Sequence, residues 1–127
     1  MTHTLDTYNR AQLQTSLLLA IAHSKIKVKA SKEELLVLKK TLEAWVVSQN
    51  LMDADLELKA YVQIAVLLVQ KLQQKLMKLE SEQKISFDIQ QALMLQVMIS
   101  ELLMNDSLDA YTANTLNRIN YQIHKQA

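Results

Sequence analysis

The chain has 127 residues, of which 50% are hydrophobic and 21% charged, and its formal net charge is +1. These values exclude a disordered or fibrous protein, and the length suits one domain, residues 1–127, that buries roughly two thirds of its unfolded surface. The sequence contains no cysteine, glycine or proline, which excludes disulfides and thiolate metal sites and argues against a β-rich fold with many tight turns. We therefore predict an all-α fold, a single-domain antiparallel bundle of about five helices.

Capping residues and helical periodicity set the bounds of these helices. Ser31 and Glu34 have the spacing of a capping box, which predicts that a helix begins there. Asn50 ends this helix, and Asp53 or Asp55 caps the next one. The predicted helices cover approximately residues 5–24, 32–49, 54–81, 87–104 and 107–124.

The remaining caps and the apolar stripes follow from the same rules. Ser86 is predicted to cap the fourth helix, and Asp106 or Ser107 the fifth. The positions predicted to face the core are Leu13, Leu17, Ala20 and Ile21 in the first helix, Leu35, Leu38, Leu42 and Trp45 in the second, and Leu108, Thr112, Leu116, Ile119 and Ile123 in the fifth.

Residues 25–31, KIKVKAS, alternate charged with apolar or small residues at period two. This pattern is compatible with an extended segment, but the segment is too short and too isolated to predict a sheet. We interpret it as a connector between the first two helices or as a continuation of the first.

The spacing between predicted capping residues occurs twice in the sequence, a similarity that we call the echo. Ser31 and Asn50 are 19 residues apart, and so are Ser86 and Asn105. The spacing hints at two helical hairpins of similar plan, although two copies do not predict a repeat array. We interpret the echo as similar capping of two similar helices.

Two predicted helices carry more apolar surface than one narrow seam requires. In helix 54–81, Tyr61, Val66 and Leu68 widen the stripe, as in a helix with several neighbours in a bundle. Helix 87–104 is apolar on all sides, so we predict that it is central or contacts a protein partner, the simplest being a second copy in a homodimer. Core filling is the alternative for its methionines. The tentative partner-binding residues are Met94, Leu95, Met98 and Leu102.

No motif in the sequence predicts catalysis, a metal site or a cofactor. Phosphate-binding loops and nucleophile elbows need glycine, which the chain lacks. The acidic run 53–57 lacks the glycine and the final acidic ligand of a calcium loop, so we interpret it as capping charge. The histidines lack the spacing of helical metal ligands: His3, His23 and His124.

The lysines are the one group of polar residues to which we give a functional interpretation. Residues 1–50 contain seven positive and four negative charges, and three further lysines share one face of the long helix. Such groups bind phosphates or an acidic protein surface, although a merely solvated face is the alternative because no aromatic residues interleave. The tentative contact residues are Lys25, Lys27, Lys29, Lys32, Lys71, Lys75 and Lys78.

The sequence predicts no membrane span, because its longest uncharged run, residues 11–24, has 14 residues and includes polar ones. Residues 1–22 faintly resemble a signal peptide, but Asp6 interrupts the basic start and the apolar core is short. We predict a cytoplasmic protein and keep the signal peptide as the alternative.

The leading functional prediction is a non-catalytic helical protein-interaction module, such as an adaptor, an inhibitor or an immunity-type factor. The alternative is a nucleic-acid-associated helical subunit or regulator that uses the lysine-rich faces. A ligand pocket inside the bundle is a third possibility.

Overall fold

The computed structural model describes residues 9–17, 25–78, 80–105 and 108–126. Within these ranges the chain is 73% helical, with five helices and a small antiparallel sheet of two strands, so the all-α prediction is correct only in part. The elements in chain order are α1 (9–17), β1 (Ile26–Ser31), α2 (Lys32–Ser48), α3 (Leu56–Leu76), β2 (Glu82–Phe87), α4 (Ile89–Leu103) and α5 (Ala110–Gln126).

The sheet is the main departure from the predicted fold. β1 is the segment that we predicted to be a connector or a helix, and it pairs antiparallel with β2, with Ile26 opposite Phe87 and Ser31 opposite Glu82. The helix that we predicted at 54–81 ends at Leu76. Ser86, which we predicted to cap the following helix, lies inside β2. The strands were missed because each is only six residues long and its partner is distant in sequence.

One face of this sheet covers the hydrophobic core. The residues that point inward from β1 are Ile26, Val28 and Ala30, and all three are buried. The antiparallel register places buried residues of β2 opposite them, because side chains of directly paired residues share a face. These partners are Phe87, Ile85 and Gln83.

Both strands run directly into a capped helix. Ser31 Oγ accepts a hydrogen bond from the Glu34 amide at 3.1 Å, and the Ser31 amide donates to Glu34 Oε1 at 3.2 Å, so the predicted capping box is confirmed. Asp88 and Gln91 form the same box at the start of α4. Ser86 is therefore not the cap, and the helix begins two residues later than predicted.

Aspartates begin the two remaining helices of the core. Asp55 Oδ1 accepts from the Leu58 amide at 2.8 Å, which selects one of the two predicted caps. Asp109 Oδ1 accepts from the Thr112 amide at 2.6 Å, and hydrogen bonds from Thr112 hold the pKa of the Asp109 carboxyl below its usual value. The predicted caps Asp106 and Ser107 lie outside the described residues.

The order of elements repeats as strand, helix, helix. The first unit is β1, α2 and α3, and the second is β2, α4 and α5. In this repeated order Ser31 and Asp88 hold equivalent positions, whereas Ser86, which the sequence analysis matched with Ser31, lies within β2.

The core lies between the sheet and helices α2 to α5. The predicted core residues of α2 are all buried, with Leu35 and Leu42 fully enclosed and Trp45 5% exposed. In α3, Leu68 is fully buried whereas Val66 is exposed. The buried stripe of α3 is therefore wider than a two-stranded coiled-coil seam only on the side of Leu68. The buried hydrophobic residues of α5 are Leu116, Ile119 and Ile123.

Helix α1 is exposed along its described length, residues 9–17. Leu13 and Leu17, which we predicted to face the core, are 65% and 57% exposed. The rest of the predicted helix 5–24, including Ala20 and Ile21, lies outside the described residues. Across the described ranges, no helix is both long and apolar enough to cross a membrane.

The outer edge of β1 is covered by two glutamine side chains of α5. The Gln122 carboxamide accepts from the Lys29 amide at 2.8 Å and donates to the Lys29 carbonyl at 2.9 Å. Gln126 makes the same pair of bonds to Lys27, at 2.9 and 2.6 Å. Each carboxamide takes the place of a peptide group on a neighbouring strand, which satisfies a sheet edge that would otherwise recruit another chain.

The capping box at Ser31 makes a testable contribution to stability. We expect Ser31→Ala to lower the free energy of unfolding by about 1 kcal/mol, because the Glu34 amide loses its acceptor. Urea denaturation followed by circular dichroism measures the change. Ser100→Ala, at an exposed position of α4, is the control and should leave the midpoint nearly unchanged; equal effects of the two variants would contradict a role for the cap.

The edge covered by α5 gives a second prediction. Gln122→Leu replaces the carboxamide by an apolar group and removes both hydrogen bonds to Lys29, so we expect a loss of about 1 kcal/mol and faster exchange of the Lys29 amide proton. Hydrogen exchange measured by NMR reports this amide directly. Asn117→Leu, on the exposed side of α5, is the control, and an unchanged Lys29 exchange rate in Gln122→Leu would refute the edge contact.

Candidate functional site

The solvent side of the sheet is rich in lysine. Lys27 and Lys29 of β1 and Lys84 of β2 are exposed, and Lys29 lies directly opposite Lys84 in the register. The backbone of Lys29 bonds to Gln122 rather than to Lys84, so the two residues form a non-hydrogen-bonded pair, in which Cα atoms are about 4.5 Å apart. Like charges directly opposite each other destabilise a sheet. The fold therefore tolerates a repulsive pair at this position.

Helix α3 adds two ammonium groups along the outer edge of β2. Lys71 Nζ donates to the Ser86 carbonyl, and Lys75 Nζ donates to the Lys84 carbonyl at 2.9 Å. Lys71 Nζ also lies 5.5 Å from the centroid of the Phe87 ring, within the range of a cation–π contact. These bonds satisfy two carbonyls on the second edge of the sheet and place both amines along it.

The ammonium group of Lys71 is partly buried and interacts with several charged side chains. Partial burial lowers the pKa of its ammonium group, and the nearby charge of Lys25 lowers it further. Asp88 acts in the opposite direction, and Lys75 contributes a smaller lowering. The interaction with Lys25 places that residue near Lys71.

We call this surface the lysine face and define it as Lys25, Lys27, Lys29, Lys71, Lys75 and Lys84. Within the described part of the chain, no carboxylate oxygen lies within 4.0 Å of these ammonium nitrogens. The two ion pairs found there join Lys39 to Glu43 and Arg118 to Glu34. None of these ammonium groups therefore forms an ion pair with a carboxylate of the described chain, and the charge of Asp88 acts on Lys71 from farther away.

The structure brings together five of the seven lysines that the sequence singled out. Lys32 begins α2 and faces the end of α3 instead, and Lys78 is exposed beyond α3, so neither belongs to the lysine face. Lys84 was missed. The alternation of Lys84 and Ser86 with apolar or buried residues could have indicated a strand. The predicted helices 54–81 and 87–104 instead leave this segment as the connection between them.

The four residues predicted to bind a partner lie elsewhere. Met94 is 1% exposed and Leu95 and Met98 are fully buried, so a partner that docks on the folded chain cannot touch them. They fill the core, which corrects the prediction in favour of its alternative. Leu102 is half-buried and lines a surface cleft beside Trp45. The exposed apolar residues of α4 are instead Ile89, Leu93 and Val97, with Met104 just beyond its end.

The acidic and histidine residues form no further site in the described ranges. Asp55 caps α3, and Asp53 Oδ2 accepts from the Asn50 side chain at 3.0 Å. No three histidine, aspartate or glutamate side chains there are grouped to hold a metal ion. His124 is exposed on α5, whereas His3 and His23 lie outside the described residues.

Comparison with known proteins gives no significant match: no family model, no curated protein and no solved structure is similar to this chain. The assignment of function therefore depends on the geometry of the lysine face.

The repulsion between Lys29 and Lys84 gives a third prediction. Lys84→Gln removes one of the two facing charges, so we expect the free energy of unfolding to rise by about 0.5 kcal/mol at low salt and the gain to shrink as salt is added. Urea denaturation over a sodium chloride series measures it. Lys59→Gln, at an exposed position of α3 outside the lysine face, is the matched control. A gain that persists at high salt would show that charge repulsion is not its cause.

Proposed function

We propose that this chain is a non-catalytic protein-interaction module, of the adaptor, inhibitor or immunity-factor kind, that binds an acidic surface of another protein through the lysine face. One observation carries the proposal: Lys29 and Lys84 face each other directly, and no carboxylate oxygen of the described chain lies within 4.0 Å of either ammonium group. A local arrangement that costs stability is expected at functional positions. A negatively charged group of a partner would attract both ammonium groups and so offset the repulsion between them.

Three features favour an acidic protein over a nucleic acid. Phe87, the aromatic residue next to Lys71, is fully buried and presents no ring for stacking against bases. The face consists of lysines, whereas the bidentate recognition of phosphates favours arginine, and Arg118 is paired with Glu34. A net charge of +1 is also far from that of a dedicated duplex-binding domain.

The proposal extends to the remaining expectations from the sequence. The chain acts as one domain in the cytoplasm and needs no cofactor. A homodimer formed through the apolar helix predicted at 87–104 stays a prediction.

Fluorescence anisotropy with two labelled polyanions tests the function. Poly-L-glutamate stands for an acidic protein surface, and a single-stranded oligonucleotide with the same number of charges stands for nucleic acid. We expect poly-L-glutamate to bind the chain at least as tightly as the oligonucleotide, with an affinity that falls as sodium chloride is added.

Matched variants locate the binding surface. The triple variant Lys27→Gln, Lys29→Gln and Lys84→Gln should weaken binding of poly-L-glutamate about tenfold, since three contacting charges are lost. The control triple variant Lys40→Gln, Lys59→Gln and Lys78→Gln removes the same charge elsewhere and should change little. Equal losses in both triples, or no binding at all, would refute the lysine face as the site. If the chain binds the oligonucleotide more tightly than poly-L-glutamate, and the first triple variant loses that binding, the nucleic-acid function replaces the proposal.

A further inference from the structure

The two outer edges of the sheet are contacted by different kinds of side chain. On β1, the carboxamides of Gln122 and Gln126 each accept from a backbone N–H and donate to the carbonyl of the same residue. On β2, the ammonium groups of Lys71 and Lys75 bond to carbonyls only. An ammonium group donates hydrogen bonds but accepts none, so it cannot satisfy a backbone N–H. The lysines therefore leave the amide donors of the β2 edge without an acceptor.

Lys84 carries one of these amide donors. Its N–H and C=O both point away from β1, because Lys84 forms a non-hydrogen-bonded pair with Lys29. The Lys84 carbonyl accepts from Lys75 Nζ at 2.9 Å, whereas no hydrogen bond within the described chain gives the Lys84 N–H an acceptor. On the opposite edge, one Gln122 carboxamide reaches both groups of Lys29, so the N–H and C=O of such a residue lie side by side. A free donor and a positive charge are thus adjacent at Lys84.

The neighbouring position on the same edge, at Ser86, is less suited to an anion. The bond from Lys71 to the Ser86 carbonyl is partly buried, and Asp88 supplies a negative charge that acts on Lys71. The bond from Lys75 to Lys84 is exposed, and no carboxylate oxygen of the described residues lies within 4.0 Å of Lys75 Nζ. Accessibility and charge therefore both favour the position at Lys84.

We propose that the β2 edge binds one side-chain carboxylate of the acidic partner, whose oxygens accept from the Lys84 N–H and from Lys75 Nζ. The carboxylate and the ammonium group together then make the same two bonds to Lys84 that the Gln122 carboxamide makes to Lys29. Hydrogen bonds to an ionised acceptor are short and strong, so the site favours a carboxylate over a neutral amide. This inference rests on the proposed function and adds one anchoring contact to it.

Backbone NMR detects this contact at a single proton. The capped tripeptides serine-glutamate-serine and serine-glutamine-serine differ only in the carboxylate, and dimethyl phosphate represents a phosphodiester; each is titrated at constant ionic strength. We expect the glutamate tripeptide to shift the Lys84 amide proton downfield with a Kd on the order of 10 mM, and the glutamine tripeptide to leave it in place. The Lys29 amide, which already donates to Gln122, is the internal control and should move little.

Two variants separate the anchoring contact from the loss of one charge. Lys75→Gln places a carboxamide where it can make both bonds to Lys84, as Gln122 does to Lys29. We expect the Lys84 amide proton to exchange severalfold more slowly, its shift with the glutamate tripeptide to disappear, and poly-L-glutamate to bind about fivefold more weakly. Lys27→Gln is the matched control: it also removes one charge of the lysine face but leaves the β2 edge intact, so the Lys84 shift should remain.

The outcomes distinguish this contact from the proposed function. A Lys84 amide that the glutamate tripeptide does not move, or that both tripeptides move equally, overturns the contact even if poly-L-glutamate binds. A Lys84 shift in a chain that does not bind poly-L-glutamate supports the carboxylate site and refutes the proposed function. A shift with dimethyl phosphate alone assigns the edge to a phosphodiester and overturns the inference. If Lys75→Gln does not fold, as judged by circular dichroism, the titrations of the original chain and of Lys27→Gln decide the result.

Discussion

The pairing of β1 with β2 is the interaction on which the rest of this structure depends. A sheet of two strands is marginal by itself, because each strand leaves one edge of peptide groups without partners. Here side chains from long helices bond to both edges: Gln122 and Gln126 to amides and carbonyls of β1, and Lys71 and Lys75 to two carbonyls of β2. These bonds fix α5 against the edge of β1 and α3 against the edge of β2.

The register of this pairing also decides which residues face the solvent. Because directly opposed residues share a face, the match of Val28 with Ile85 places apolar pairs over the core and leaves Lys29 next to Lys84 outside. A shift by one residue would bury the lysines, so the hydrophobic pattern fixes the register strongly. The positive surface is thus a direct consequence of core formation, and its repulsion is tolerated because burial of the inner face outweighs it.

The βαα order explains how the chain forms a sheet without glycine. No tight hairpin joins β1 to β2, since α2 and α3 connect them, and each strand passes into a helix at an N-cap in the extended region. None of the described residues has a positive φ angle. The lack of glycine and proline excludes tight hairpins, as the sequence indicates, but it does not exclude strands that are connected by helices.

The sequence by itself determined what depends on neighbouring residues: the box of Ser31 with Glu34, a helix start capped by Asp53 or Asp55, and the buried stripe that contains Leu38 and Trp45. Caps and helical stripes are set within a few residues, so their signals are local. Only the tertiary structure decided the strands, the enclosure of the methionines of α4 and the assembly of the lysine face. Each of these depends on contacts between segments far apart in sequence, and six alternating residues carry no information about which distant segment will pair with them.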